Sequence, residues 1–468
     1  MSYRSIWLPL FLLAIAGCAS GPDFVRPSLP QAAWHAPLPH GGKVENLLRW
    51  WAQWDDPALT QLIEQAEQHN PNLDMAVAKI AEARANAGVS DAVSYPSVGA
   101  NMGVTRSKMV FGNQVLEQTQ GIFRFDAGWE LDLFGRVRRG QEAANARMQA
   151  SVAGWHEARI SLAAEVAVAY VELRACEAGA AIAEKELDSR RATRDLIELK
   201  RGAGFVSTSD WARNQAAWED ASATLVTKQG DCAHQMNRLV ALTGLDYGSL
   251  QERLQARHGR VPAPKRIALN EVAAQVLSQR PDVAGAESEC AAASADIGVA
   301  QTDLLPSLNL LGSIGLSRLI TAGVTSNAST WSFGPLLKIP VFDGGGYSGQ
   351  LKAAKSRYDY AQANYQKTVR AAVQEIEDAL VHLDVANKRT EQNRDALEHY
   401  RIMSRAGIAR RDAGMANQLD VEEMQRAAWL AEDAMLGGLR DGALAWVGLY
   451  KALGGGWQDD AVMAEGKR

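Results

Sequence analysis

Between residues 123 and 133 the chain alternates: Phe123, Phe125, Ala127, Trp129, Leu131 and Leu133 are apolar, while Arg124, Asp126, Gly128, Glu130 and Asp132 hold the other phase. A period of two puts the sets on opposite faces of a strand, one oily and one wet. The run predicts a strand over about 121–134 with Arg124, Asp126, Glu130 and Asp132 on its wet face. A second run has Trp331, Phe333, Leu337, Ile339 and Val341 opposite Ser332, Gly334 and Lys338. It is interrupted by Pro335 and Pro340 and predicts a strand over about 329–342. Shorter alternations from Val98 to Thr105 and from Leu308 to Ser317 predict partner strands over about 96–106 and 306–318.

Around these runs the period becomes helical. Residues 57–92 and 267–303 read as helices, with Pro71 and Pro281 where a new helical segment starts and a missing N–H costs little. The stretches 139–200 and 350–411 run without a helix breaker. Each is about 90 Å of helix at 1.5 Å per residue, against a mean globular helix of about 11 residues. They are rich in Ala, Leu, Glu and Arg and have no wholly apolar face. A stave of a hollow cylinder, touching neighbours on two sides and water on the other two, has that composition; so does a long antiparallel coiled coil.

The chain is one unit used twice. A shift of 210 residues lays Asn70-Pro71-Asn72-Leu73 on Arg280-Pro281-Asp282-Val283 and Tyr95-Pro96-Ser97-Val98 on Leu305-Pro306-Ser307-Leu308. The same shift lays Lys200-Arg201-Gly202-Ala203-Gly204 on Arg410-Arg411-Asp412-Ala413-Gly414, and Asp210 on Asp420. One unchanged offset over so long a span marks a tandem duplication, here taken as 50–260 and 261–457, with a tail over 458–468.

The start of the chain reads as an address. Arg4, the apolar stretch Ile6 to Ile15 and Ile15-Ala16-Gly17-Cys18 resemble a bacterial lipoprotein signal over 1–17, with Cys18 lipidated as the new N-terminus. An ordinary secretory signal with a chance cysteine is the alternative. Ala19, in place of Asp, implies passage to the outer membrane in such lipoproteins. Residues 18–49 carry Pro22, Pro27, Pro30, Pro37 and Pro39 and read as an extended tether.

Composition narrows the functional classes. With 49 Lys and Arg against 54 Asp and Glu in 468 residues, the chain lacks the basic excess that nucleic-acid binding draws on. Beyond residue 17 no uncharged apolar run approaches the roughly 20 residues of a membrane-spanning helix. The predicted strands do have the length that crosses a bilayer when tilted. Four strands cannot close a barrel, and open edges in lipid are costly, so transmembrane strands require an oligomer; a water-exposed β-sandwich is the alternative. Gly344-Gly345-Gly346-Tyr347-Ser348-Gly349 satisfies a dinucleotide-type glycine pattern, but the long helix after it leaves no compact βαβ unit. The eight histidines show no zinc-protease or zinc-finger spacing, and His234 and His382 read as helix-surface or inter-helix residues. No catalytic, metal or cofactor site is expected, apart from a covalent acyl-diacylglycerol on Cys18.

Several stretches carry a family resemblance: Gly21-Pro22-Asp23-Phe24, Trp51 to Leu59, Glu130-Leu131-Asp132-Leu133-Phe134-Gly135-Arg136, Arg280-Pro281-Asp282-Val283 and Ala295-Asp296-Ile297-Gly298-Val299-Ala300. Pro340-Val341-Phe342-Asp343-Gly344-Gly345 and Leu449 to Trp457 complete the set. Together they resemble outer-membrane factors of the TolC type, in the NodT- and OprM-like lipoprotein branch that serves resistance–nodulation–division efflux pumps. The resemblance implies an α+β membrane protein. It would be a homotrimer with a shared twelve-stranded barrel and a twelve-helix periplasmic tunnel, anchored through Cys18. It implies passive conduction of small molecules delivered by an inner-membrane pump and a periplasmic adaptor. A conduit for type I protein secretion and a scaffold lipoprotein without a pore are alternatives. It further implies a gate at the tip where the long helices turn at Gly204 and Gly414: a constriction at Leu419, an acidic ring at Glu423 four residues on, and Arg410 in tip salt bridges. The wet strand faces, with Arg124, Asp126, Glu130, Asp132 and Lys338, would line the lumen.

With Cys18 assigned to lipid, Cys176, Cys232 and Cys290 remain. Cys176 and Cys232 are each 28 residues from Gly204, so an antiparallel hairpin sets them at one level, about 42 Å from its tip. In an oxidising periplasm they are expected to form a disulfide, leaving Cys290 free and buried; two small apolar packing residues are the alternative.

Overall fold

A computed structural model describes residues 20–27, 50–112, 114–264, 277 and 279–456. Cys18, most of the tether and the C-terminal tail lie outside the described residues. Local chemistry sets the element boundaries. Asp56 caps α1 (Pro57–His69) by accepting from the Ala58 N–H at 3.1 Å, and Pro71 opens α2 (Pro71–Ala92). Strands β1 (Ser97–Phe111) and β2 (Gln114–Leu131) lead into α3 (Arg136–Gly202), α4 (Thr208–Thr243) and α5 (Tyr247–Leu254). The second half contributes α6 (Pro281–Thr302), β3 (Ser307–Thr321), β4 (Val324–Lys338), α7 (Gly346–Asp412) and α8 (Gln418–Ala452). Helices α3 and α7 each have 67 residues, about 100 Å of helix.

The strands differ from expectation at their ends. The β1–β2 ladder continues past Thr105 as far as Phe111 opposite Gln114. Polar residues hide the alternation there, yet backbone pairing persists and Arg106 meets Glu117 across the strands at 2.8 Å. At the other end β4 stops at Lys338 rather than near 342, because Pro340 has no N–H to donate. Ile339, Val341 and Phe342 leave the ladder exposed.

The described residues form two compact units. The first takes 20–27, 78–153 and 285–367. It holds one antiparallel sheet in the order β1-β2-β3-β4, without a bulge in any of its three ladders. Beneath it Ile297 and Ala300 of α6 pack on Ala354 of α7, with Leu351 and Tyr358 alongside. The start of the described chain is strapped to this unit. The Ser20 N–H donates to the Phe134 carbonyl at 2.9 Å, and the buried Arg139 donates to the Ser20 carbonyl at 3.2 Å and to the Asp23 carboxylate at 2.6 Å. Gly21, at φ +94°, lies against Gly298 so closely that a Cβ would stand 2.5 Å from the Gly298 Cα. The described residues of the tether near Ser20 to Asp23 are thus bound rather than loose.

The second unit, from 50–77, 154–284 and 368–456, is helical. Its core is rich in small side chains: Val166, Ala167, Ala169 and Val171 of α3 and Ala372 of α7 are buried, which lets helix axes approach closely. Trp50 sits 5.9 Å from Trp446 and 5.8 Å from Tyr450, closing one end of this core. The fully buried Arg174 is matched by Glu177 at 2.8 Å, the Leu254 carbonyl at 2.7 Å and the face of Tyr170. Burial pushes the Tyr170 hydroxyl up to about 12, and that hydroxyl donates to Asp56 at 2.8 Å. The two halves fasten equivalent points with different chemistry. The Asn70 amide donates to the Leu242 carbonyl at 3.0 Å, and the Arg280 guanidinium donates to the Ala452 carbonyl at 2.8 Å.

Candidate functional site

The sheet is the first surface with a chemical message. Its register sorts every side chain to one of two faces, because directly opposed residues point the same way and neighbours along a strand alternate. One face carries Val98, Ala100 and Met102 of β1 with Phe123, Phe125, Ala127, Trp129 and Leu131 of β2. The same face continues with Leu308, Leu310, Gly312, Ile314 and Leu316 of β3 and Trp331, Phe333, Pro335 and Leu337 of β4. Most of these side chains are exposed: Ile314 is 63 %, Phe333 76 % and Trp331 79 % accessible, while Leu131, Leu308 and Leu310 are half-buried. From the Phe123 row to the Leu131 row the band spans about 20 Å in height, taking roughly 3.4 Å per residue and a tilt of about 40°. A mainly aromatic and aliphatic band of that height, broken only at Ser329 in the Phe123 row and largely bare to the surroundings, fits the hydrocarbon layer of a membrane.

The opposite face carries Gly99, Asn101, Gly103 and Thr105, then Arg124, Asp126, Gly128 and Glu130, then Asn309, Ser313, Gly315 and Ser317, then Thr330, Ser332, Gly334 and Lys338, with Ile122, Leu311 and Leu336 among its large apolar members. Arg124 pairs with Asp126 at 2.8 Å, and the Asn101 amide donates to Asp126 at 2.6 Å. Gly315 lies opposite Arg124, and a Cβ there would stand 2.5 Å from the Phe123 carbonyl oxygen. Glu130 pairs with Arg136 at 3.3 Å, and Arg136 reaches Asp303 at 3.5 Å. Lys338 is on this face at the last pair of β3–β4, opposite Ser307 and outside that cluster. Asp132 needs correction. It follows the end of β2, and its carboxylate accepts from the Val137 and Arg138 N–H groups, each at 3.0 Å, so it caps α3 instead of projecting from the strand.

The second surface is the end of the helical hairpins. Gly204, at φ +78°, ends α3 with the Phe205 N–H bonded to the Lys200 carbonyl; Gly414, at φ +73°, ends α7 with the Met415 N–H bonded to the Arg410 carbonyl. Ser207 and Asn417 then cap α4 and α8 through the Asp210 and Asp420 N–H groups, both at 3.0 Å. Arg201 lies over the Trp211 ring at 4.4 Å and Arg194 over Trp218 at 4.3 Å, so cation–π contacts lace α3 to α4. Further from the tip, Cys176 of α3 and Cys232 of α4 are bonded, Cα to Cα 5.5 Å, while Cys290 is free and buried. A bridge across 56 residues stabilises by about 4 kcal/mol on the chain-entropy model.

Leu419 and Glu423 share one face of α8, Leu419 half-buried and Glu423 exposed. Arg410 is exposed, and its side chain makes no ion pair among the described residues. The neighbouring Arg411 instead holds Asp412 at 2.7 Å and Gln418 at 3.1 Å. The tighter constellation is one the sequence reading passed over. Glu422, only 7 % exposed, accepts from the Ser189 hydroxyl of α3 and, at 2.7 Å, from the Gln418 amide. Arg426 donates to Ser189 at 3.2 Å and to Thr193 at 3.3 Å. Burial, then the nearby Arg190, push the Arg426 guanidinium below its ordinary value. A polar row Gln418, Glu422, Arg426 at i, i+4 spacing thus fastens α8 to the hydroxyls of α3, and Leu419 with Glu423 lies about 100° around the helix from it.

The model of the outer membrane efflux protein family matches residues 62–245 and again 272–455, two stretches whose starts are 210 residues apart. The chain belongs to the outer membrane efflux protein family. It is 30 % identical to the outer membrane protein OprJ of Pseudomonas aeruginosa over 96 % of this chain and 95 % of that one. It is 28 % identical to nodulation protein T of Rhizobium leguminosarum bv. trifolii over 98 % of both chains. Among solved structures the outer-membrane channel OprN superposes with a TM-score of 0.84 at 30 % identity, covering 94 % of this chain and all of that one. Membership in this efflux family agrees with the two-faced sheet and the paired long helices, and channel proteins, not enzymes, are its known kind.

Proposed function

We propose that the protein is the outer-membrane channel of a multi-component efflux pump, acting as a homotrimer with a lipid anchor on Cys18. The observation that carries the reading is the sheet: one face a largely bare apolar band, the other mainly polar and glycine-rich, with the outer edges of β1 and β4 unpaired among the described residues. Open edges are intolerable in hydrocarbon, so copies pair β4 to β1 until the sheet closes. Two copies would give eight strands, a barrel filled by its own side chains; three give twelve, with backbones about 25 Å apart across a water-filled lumen. The glycines and serines of the inner face keep that lumen open, and Arg124, Asp126 and Glu130 set its electrostatics.

Conduction is passive, with energy and substrate choice supplied by an inner-membrane transporter through a periplasmic adaptor. The hairpin tips are the place of control. Leu419 and Glu423 narrow the passage and concentrate cations there, Arg410 engages charged tip groups of adjoining copies, and the Glu422–Ser189–Arg426 cluster holds α8 against α3 in the closed arrangement. The disulfide keeps the α3–α4 hairpin in register in an oxidising compartment. Native mass measurement of the detergent-solubilised protein tests the assembly: a trimer carrying three acyl-diacylglycerol additions is expected, and a stable membrane-embedded monomer would refute it.

A further inference from the structure

The apolar face of the sheet does not end evenly. Above the Phe123 row, toward the turns at Gly112 and at Ala322–Gly323, that face carries Arg106 and Lys108 of β1 and Arg318 of β3. Glu117 is the one acidic residue on this face among the described residues, and it pairs with Arg106, which leaves a net excess of two positive charges. Arg318 pairs with no acidic side chain among the described residues. No strand residue among the described ones puts a cation at the opposite margin of this face, where the rows end in Leu131, Leu308 and Leu337.

Between the basic residues and the apolar band lies a depression of about 480 Å³, lined by Met102, Val104, Gly121, Phe123, Leu316 and Arg318. Gly121 makes it, because the absent side chain lies in the row shared by Val104 and Arg318. Arg106 and Arg318 flank it two strands apart, about 10 Å, with Lys108 two residues further along β1 on the same face. The hollow therefore offers hydrocarbon contact below and cationic hydrogen-bond donors above. Guanidinium groups suit phosphate through paired N–H donors, and the asymmetry between the two margins selects one leaflet.

The geometry points to a binding site for a phosphorylated outer-leaflet glycolipid, with an acyl chain against Met102, Phe123 and Leu316 and its phosphates at Arg106, Lys108 and Arg318. The inference rests on the proposed channel reading, which makes this face the lipid-facing one and sends the β-turns outward. Three such sites, one per chain, would hold the assembly at a fixed depth and tie it to the outer leaflet.

The test reconstitutes the intact assembly in phosphatidylcholine bilayers with and without diphosphoryl lipid A, then extracts it in mild detergent and counts bound lipid A by native mass spectrometry. Wild type is expected to retain lipid A in the presence of millimolar inorganic phosphate. The triple variant Arg106→Gln, Lys108→Gln, Arg318→Gln should bind about a hundredfold more weakly, from about a fivefold factor per charge, and should conduct as wild type does. Gly121→Leu fills the hollow with the charges intact, its new Cβ only in ordinary contact with the Arg318 carbonyl oxygen at 3.9 Å, and should also lose lipid A. Equal retention by wild type and both variants, or displacement by inorganic phosphate alone, would overturn the site. Wild type that inserts and conducts without retaining lipid A overturns the site and leaves the channel reading standing. Failure of wild type to insert into either bilayer overturns both.

Discussion

The cluster around Glu422 gives the sharpest account of how the tip is held. Glu422→Ala removes a carboxylate that is 7 % exposed and that accepts one hydrogen bond from Ser189 of α3 and one from Gln418 on its own helix. The Gln418 contact is local to α8 and contributes a few tenths of a kcal/mol, so the inter-helix share of Glu422 rests on the Ser189 hydroxyl of α3. A hydrogen bond to a buried charged group contributes about 1.5–3 kcal/mol, and about 2 kcal/mol per chain is a reasonable value here. If the three tips of a trimer release together, the closed-to-open ratio falls by about 6 kcal/mol, a factor of roughly ten thousand. Open probability in planar bilayers is the assay, with Ser189→Ala and the double variant completing a cycle. The single variants should each raise basal conductance and the double should fall short of their sum, because both remove the Glu422–Ser189 bond, while Ser189→Ala also removes an acceptor of Arg426. Unchanged conductance in Glu422→Ala, or strictly additive effects in the cycle, would show that this contact does not hold the tip closed.

Other expectations are equally concrete. Phe125→Asp or Trp331→Asp should damage membrane insertion, since an ionised side chain on the lipid face costs up to about 2–4 kcal/mol at mid-depth; Arg124→Gln and Glu130→Gln should alter ion selectivity with assembly intact, read by flotation and reversal potential. Thiol counting on denatured, unreduced protein should find one reactive cysteine per chain, Cys290, because Cys176 and Cys232 are bonded and the proposed lipid anchor blocks Cys18; three reactive cysteines would contradict the bond. The Tyr347 and Gly345 N–H groups hold the Asp343 carboxyl below the usual carboxylate range, so its contribution to the α7 start is present above its unfolded value and is lost as pH falls through the lower folded one. Hydrogen-exchange protection at the first turn of α7, taken relative to the intrinsic amide rate at each pH, should fall in acid for wild type and lie flat in Asp343→Asn.

Much of this architecture was legible because it repeats. The 210-residue offset that aligned Lys200 to Gly204 with Arg410 to Gly414 also relates α3 to α7 and β1 to β3, whose bounds differ by that number. Faces of the sheet followed from the alternation at Phe123 to Leu131, since a half-exposed strand has no other way to separate oil from water. Strand ends were less legible. Residues such as Lys108, Gln118 and Thr119 carry no apolar signal, and what keeps them in the ladder is backbone pairing, which composition does not encode. Asp132 continued the alternation and was read as a strand residue, when the break at Leu131 had turned it into a helix cap. At the tip, Glu422 and Glu423 are adjacent carboxylates, and only the rotational phase of α8 against α3 decides which one meets Ser189. The row Gln418, Glu422, Arg426 was the available signal, a polar stripe where two helices were expected to pack.

The central claim, that the polar face of this sheet lines a water-filled conduit, is tested most directly by single-channel recording of the purified assembly in planar bilayers. The account predicts discrete conductance steps, larger or more frequent in the tip-released Glu422→Ala protein, with ion selectivity that shifts when Asp126 and Glu130 are neutralised together. Protein that is demonstrably inserted yet passes no ions in either form, or whose selectivity ignores those two carboxylates, would contradict it.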